Sequence, residues 1–118
     1  MNKRLIGAEG ETAAVRYLEE HGYQIIKRNY RNRYGEIDII AELGNVLVFV
    51  EVKYRRAGDY GDPLEAVDIR KQRRISKAAL YYYSGYGHGW NRPCRFDVVA
   101  IYGDGTIRHV ENAFEFQG

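Results

Sequence analysis

At 118 residues, with 45% hydrophobic residues and only two prolines, the chain is sized for one domain spanning residues 1–118, without a linker or an internal repeat. No apolar run approaches the roughly 20 residues of a membrane span, and the N-terminus lacks the apolar core of a signal peptide. The lone Cys94 allows neither an intramolecular disulfide nor a zinc-type Cys/His cluster, so a reduced, cytoplasmic, non-membrane protein is the expectation. A net charge of +2 does not by itself announce a nucleic-acid partner, but its distribution is uneven. Twelve of the 18 Lys and Arg residues fall in three groups, around residues 27–33, 53–56 and 70–77. A basic surface around an acidic patch is the layout expected where a polyanion meets a metal ion.

The segment from Gly7 to His21 reads as a helix, closed by Gly22 in the left-handed position after its end. At 100° per residue, Ala14, Val15 and Leu18 lie within 60° of Glu11, which centres that carboxylate on the apolar face. A glutamate there calls for a basic partner, hydrogen bonds or a metal; the plainer reading puts it at the edge of the face, stabilised by solvent and the helix dipole. Tyr23 to Tyr30 is a strand candidate, followed by Arg28, Arg31 and Arg33 interleaved with Asn29, Tyr30, Asn32 and Tyr34. Arginine beside tyrosine suits phosphate contact and base stacking, although a solvated strand end reads the same way.

From Tyr34 to Arg56 the chain reads as two strands joined by the two-residue loop Gly44-Asn45. With Leu43 facing Val46, paired residue numbers sum to 89, so Asp38 falls opposite Glu51 and Glu36 opposite Lys53, all four on one face. Opposed like charges destabilise a hairpin. Three acids against one lysine call for a bound cation, a raised pKa or basic groups from elsewhere. A divalent ion held by one or two carboxylates is a common solution in phosphate chemistry. Residues 55–61 follow as a polar loop. Asp62-Pro63-Leu64-Glu65 then starts a helix expected to run to about Tyr83, with Leu64, Ile75, Ala78, Ala79 and Tyr82 as its apolar stripe. Asp68 and Lys71 fall on that stripe, whereas Arg70, Arg73 and Lys77 form a solvated outer face. The glycine-rich connection from Gly85 to Pro93 carries His88 and Trp90. Arg95 to Tyr102 and Thr106 to Asn112 are the last two strands, around Gly103-Asp104-Gly105. A helical crossover between the third and fourth strands implies a parallel pair, hence an α/β fold with a mixed β-sheet flanked by helices in the order αβββαββ.

Gly10-Glu11, Arg28-Asn29, Gly35-Glu36-Ile37-Asp38-Ile39-Ile40, Phe49-Val50-Glu51-Val52-Lys53 and Pro63-Leu64-Glu65-Ala66-Val67 together resemble the uncharacterised bacterial YraN family. That family is similar to the restriction-endonuclease-like fold and, within it, to archaeal Holliday junction resolvases. The resemblance covers about Gly7 to Tyr83 and maps the PD-(D/E)xK signature onto Asp38, Glu51 and Lys53, with Ile37 where a proline is often found. It also implies a role for Glu11, which stands eleven residues before Gly22-Tyr23, as the resolvases' helix glutamate does before a Gly-aromatic pair. The implied activity is a Mg²⁺- or Mn²⁺-dependent endonuclease acting on DNA phosphodiesters, leaving a 5′-phosphate and a 3′-hydroxyl. Asp38 and Glu51, with Glu11 directly or through water, would hold the ion, and Lys53 would serve the attacking water or the phosphate. Arg28, Arg31, Arg33, Arg55, Arg56 and Lys71 would contact backbone phosphates. Nothing suggests base readout, so branched or flapped DNA is the expected substrate, and a homodimer would present two sites to a branch. The rivals are a non-catalytic nucleic-acid-binding module of the same fold, and an assembly protein whose acidic face is plain strand surface with a Glu36–Lys53 salt bridge.

Overall fold

The computed structural model describes residues 3–59, 61–85 and 92–118, with residues 3–9 described as backbone only. Tyr60, the connection carrying His88 and Trp90, and the Ala8 side chain lie outside the described residues. The chain order is α1 (Lys3–Glu20), β1 (Gln24–Asn32), β2 (Gly35–Leu43), β3 (Val46–Arg55), a 3₁₀ turn (Pro63–Ala66), α2 (Ile69–Gly85), β4 (Cys94–Tyr102) and β5 (Ile107–Phe114). The five strands form one mixed sheet in the order β1-β2-β3-β4-β5, with β3 and β4 parallel and the other pairs antiparallel. This is the α/β class and element order expected.

Each face of the sheet buries its own apolar layer. On one, Ala14 and Leu18 of α1 pack over Ile39, Val48, Val50 and Val99; on the other, Ile75, Ala78, Ala79 and Tyr82 of α2 pack over Ile40, Leu47, Phe49 and Phe96. Helix α1 ends as its sequence indicates. Gly22 takes φ +90°, the Gly22 N–H donates to the Glu19 carbonyl (3.1 Å), and the Tyr23 N–H donates to the Leu18 carbonyl (2.9 Å). That pair of bonds satisfies two carbonyls left over at the helix end.

The hairpin forms around Gly44 (φ +58°), and its register sums to 89 from Leu43↔Val46 to Ile39↔Val50. There the ladder stops. Ile37 packs on the α2 side although Ile39, two residues on, packs on the α1 side, so β2 turns over at Asp38. The neighbouring strand is irregular at the same level: Asn29, between Arg28↔Ile39 and Tyr30↔Ile37, has φ +52°. The single face expected for Glu36, Asp38, Glu51 and Lys53 is therefore broken. Glu36 pairs with Arg31 of β1 and not with Lys53.

The helix expected from Asp62 to Tyr83 is two pieces. Asp62 caps only the 3₁₀ turn, its Oδ1 accepting the Leu64 N–H at 2.9 Å, and the buried Val67 leaves helical geometry with ψ 84°. Asp68 then caps α2 afresh, accepting the Lys71 N–H at 2.8 Å, while the Gln72 side chain donates to the Val67 carbonyl at 2.9 Å. Asp68, expected on the apolar stripe, thus serves Lys71 through its backbone N–H. The break aims the first turn of α2 at the end of β3.

Candidate active-site cleft

Alternation along β3 puts Glu51 and Lys53 on the same side as Phe49, under α2. Asp38, released from the ladder, turns its carboxylate across to β3, where Oδ2 accepts the Val52 N–H at 2.7 Å. Lys71, from the newly capped first turn of α2, brings its ammonium to 2.8 Å from Glu51 Oε1. Lys53 Nζ lies 3.4 Å from the same oxygen. Two carboxylates and two ammonium groups thus meet where β2, β3 and α2 converge. Three of the four, Asp38, Glu51 and Lys71, stand on the wall of an open cleft of about 630 Å³, with Arg31, Arg33 and Arg74 around it.

The charges in this cluster perturb one another. Burial, and then the neighbouring Glu51 carboxylate, push the Asp38 carboxyl up from 3.8 to about 7, against the Val52 N–H and the Lys71 charge, which favour its ionised form. Burial and the adjacent Lys71 ammonium lower the Lys53 pKa, with Glu51 offsetting part of the effect. Lys71 moves the other way: burial opposes its charge, but the contacts with Glu51 and Lys53 and the Asp38 charge together outweigh it and the pKa rises.

Of the remaining expected residues, Glu11 is paired rather than solvated. Its side chain is 14% exposed and accepts from Arg28 Nε at 3.2 Å, while Arg28 also donates to the Thr12 hydroxyl at 3.3 Å. Glu11 adds a weak repulsion to Asp38 from the α1 side but is not on the cleft wall, and Arg28 is held with it. Arg33 lies over the Tyr34 ring, 5.2 Å from its centroid, and Arg56 is exposed. Arg55 is turned into its own loop, donating to Asp59 Oδ2 and to the Asp62 carbonyl, each at 3.3 Å. Lys53 touches Glu51 but does not itself line the cleft.

The donor set fits a hard cation of limited demands. Among the described residues no three His, Cys, Asp or Glu side chains come together, which excludes an all-protein cage. Two adjacent carboxylates, one of them pushed up by its neighbour, suit an ion that keeps several waters and takes further oxygens from a phosphate.

A second charged cluster lies on the α1 face, and sequence reasoning passed over it. Asp97 of β4 is fully buried and accepts from Arg95 (2.8 and 2.7 Å), the His109 ring (2.7 Å) and the Asn112 N–H (3.0 Å). Burial opposes its ionisation, but the His109 and Arg95 hydrogen bonds outweigh it and hold the carboxyl below its ordinary value. An acid between Phe96 and Val98 in a strand buried on both faces was the signal available.

Comparison with known proteins places the chain among relatives of its own length. It is 51% identical to a UPF0102 protein of Lachnoclostridium phytofermentans over 118 residues, covering 100% of this chain and 99% of the relative. It is 53% identical over 113 residues to one of Rhodococcus jostii (92% and 95% covered) and 48% identical over 118 residues to one of Geobacter metallireducens (98% and 96%). A solved structure of Pyrococcus furiosus SfsA in complex with Ca²⁺ aligns with TM-score 0.39 and 17% identity, over 93% of this chain and 63% of that one. Among the described residues no helix is long and apolar enough to cross a membrane. The model of the uncharacterised protein family UPF0102 matches residues 10–101, and the chain belongs to that family, the YraN family of its sequence motifs.

Proposed function

We propose that this protein is a metal-dependent endonuclease that hydrolyses DNA phosphodiester bonds with selectivity for branched or flapped structure. The observation that carries the reading is the juxtaposition of half-buried Asp38 with buried Glu51, whose mutual repulsion a divalent cation would relieve, at the wall of a cleft rimmed by Arg31, Arg33 and Arg74. Mg²⁺ or Mn²⁺ held by Asp38 and Glu51 would activate water and offset charge developing on the phosphate.

The chain's own residues do the rest. The Val52 N–H orients the Asp38 carboxylate, and the two lysines fix Glu51. With its lowered pKa, Lys53 is fitted to accept a proton from the attacking water or pass one to the leaving oxygen. The arginines meet backbone phosphates, which position a duplex without reading its sequence. Glu11 and Arg28, joined to each other, brace α1 against β1 behind Asp38.

A recognition module that binds nucleic acid without cutting it is the second reading. It is favoured by one observation: Glu51 already has two ammonium partners and is neutralised without a metal. The deciding experiment is cleavage of labelled single-stranded, duplex, flapped and four-way-junction DNA with Mg²⁺ or Mn²⁺, using the wild type and the Asp38→Ala, Glu51→Ala double variant. Metal-dependent cutting lost in the variant supports the nuclease. Binding without cutting supports the module, and neither would overturn both.

A further inference from the structure

Lys53 and Lys71 converge on one oxygen of Glu51, but their surroundings differ. Lys53 sits on β3, two residues from Glu51, with its side chain 23% exposed and off the cleft wall. Lys71 reaches Glu51 from another element. It makes the shorter contact, 2.8 against 3.4 Å, is 31% exposed, and stands on the cleft wall beside Asp38. Its backbone is fixed by the Asp68 cap, so the long side chain is the part free to change partner.

With both carboxylates ionised, Asp38, Glu51, Lys53 and Lys71 sum to zero. A divalent ion entering without any other change would carry the cluster to +2, with an ammonium group against a ligand oxygen. A Mg²⁺–oxygen bond needs about 2.0–2.1 Å, and a lysine nitrogen hydrogen-bonded to the same oxygen competes for its lone pairs. Removing Lys71 from Glu51 leaves +1 around the ion, suited to one phosphodiester anion, and the freed ammonium faces the space that anion would enter.

Building on the nuclease reading, we propose that Lys71 is a gate: it occupies Glu51 in the metal-free protein, yields that oxygen to the incoming cation and moves to the substrate phosphate. Metal and DNA then favour each other through a single side chain, because the ion releases Lys71 and the phosphate keeps it away. Arginine or lysine elsewhere on the rim cannot substitute, since none of the rim arginines touches Glu51 among the described contacts.

The test is the affinity of DNA-free protein for Mn²⁺, measured by calorimetry and by the rise in melting temperature, for the wild type, Lys71→Met, Lys71→Gln and the Asp38→Ala, Glu51→Ala double variant. Methionine keeps a flexible apolar stem of similar length and removes the charge. Lys71→Met should bind Mn²⁺ about tenfold more tightly than the wild type, as expected for deleting one positive neighbour at a partly exposed site, while its KM for DNA rises. Lys71→Gln, which retains a donor without the charge, should fall between them. Mn²⁺ affinity in Lys71→Met equal to or below that of a wild type that does bind, with binding lost in the double variant, would overturn the gate and leave the metal site standing. No Mn²⁺ binding in any of them would overturn both, and binding seen only after Lys71 is removed would support the gate most directly.

Discussion

Replacing Asp38 by Asn tests whether a half-buried, repelled carboxylate stands on the cleft wall. Asparagine keeps an oxygen to accept the Val52 N–H and removes the charge that burial and Glu51 disfavour. The Asp38 carboxyl moves from 3.8 to about 7 on folding, so between those values the folded chain holds a proton that the unfolded chain has lost. Stability therefore falls as pH rises through that window and is flat above it. At about 1.4 kcal/mol per unit, the raised Asp38 pKa costs roughly 4 kcal/mol at pH 8 and roughly 2 at pH 5, relative to a group that never ionises.

Asp38→Asn should accordingly gain about 2–3 kcal/mol on the wild type between pH 5 and pH 8, and titrating groups distant from Asp38 cancel in the comparison. Urea denaturation of both proteins at the two pH values reads this directly, and at pH 8 the variant should melt roughly 10 °C higher relative to its pH 5 offset. Saturating Mn²⁺ should restore the wild type at pH 8, by about 2.7 kcal/mol at a hundred times its dissociation constant, and leave Asp38→Asn unmoved. A wild-type-to-variant difference that does not change with pH would refute the electrostatic account of the cleft.

Lys53→Met should abolish cleavage while changing DNA affinity less than about threefold, since one ammonium is a small share of the phosphate term; equal loss in paired cleavage and gel-shift assays would place Lys53 in binding. Replacing Arg31 and Arg33 together by alanine should lower the salt dependence of DNA binding by about two phosphate contacts, read as the slope of log K against log salt concentration. Asp97→Ala leaves the half-buried Arg95 beside His109 without its anion and should cost about 3 kcal/mol in chemical denaturation, with no Mn²⁺-dependent rescue. Because the Asp97 carboxyl is held below its ordinary 3.8, its contribution is complete above about pH 4 and disappears as pH falls through the folded value. Acid unfolding monitored by circular dichroism should thus begin below pH 4 in the wild type and show no such acid limb in a folded Asp97→Asn.

The parts of this fold legible in the sequence are those encoded within a few residues. Gly44-Asn45 and the alternation on either side of it specify the register from Leu43 to Ile39, and Gly22 marks the end of α1, because turn chemistry and side-chain period are local. What failed depended on a neighbour. The turning-over of β2 at Asp38 coincides with Asn29 of β1 at positive φ, and extrapolating the hairpin register past Ile39 put Glu36 beside Lys53 when it pairs with Arg31. The break before α2 was written in Asp68, but the stronger Asp62-Pro63 signal six residues earlier masked it. Lys71 was expected on the inner face of its helix, yet its pairing with Glu51 follows only once that break re-aims the first turn.

Half-buried Asp38 and fully buried Asp97 show why the candidate site was easier to read than the structural cluster. Asp97 has a guanidinium, an imidazole and a backbone N–H, drawn from residues 95, 109 and 112, and its pKa falls: the fold has met all of its needs. Asp38 is desolvated beside an acidic neighbour, the Val52 N–H and the Lys71 charge do not make up the difference, and its pKa rises: the fold has left it wanting more positive charge. A satisfied buried ion is invisible in sequence because its partners come from distant positions that carry no pattern. An unsatisfied one concentrates acids on adjacent strands against local electrostatics, and that conflict is what the spacing of Asp38, Glu51 and Lys53 displays.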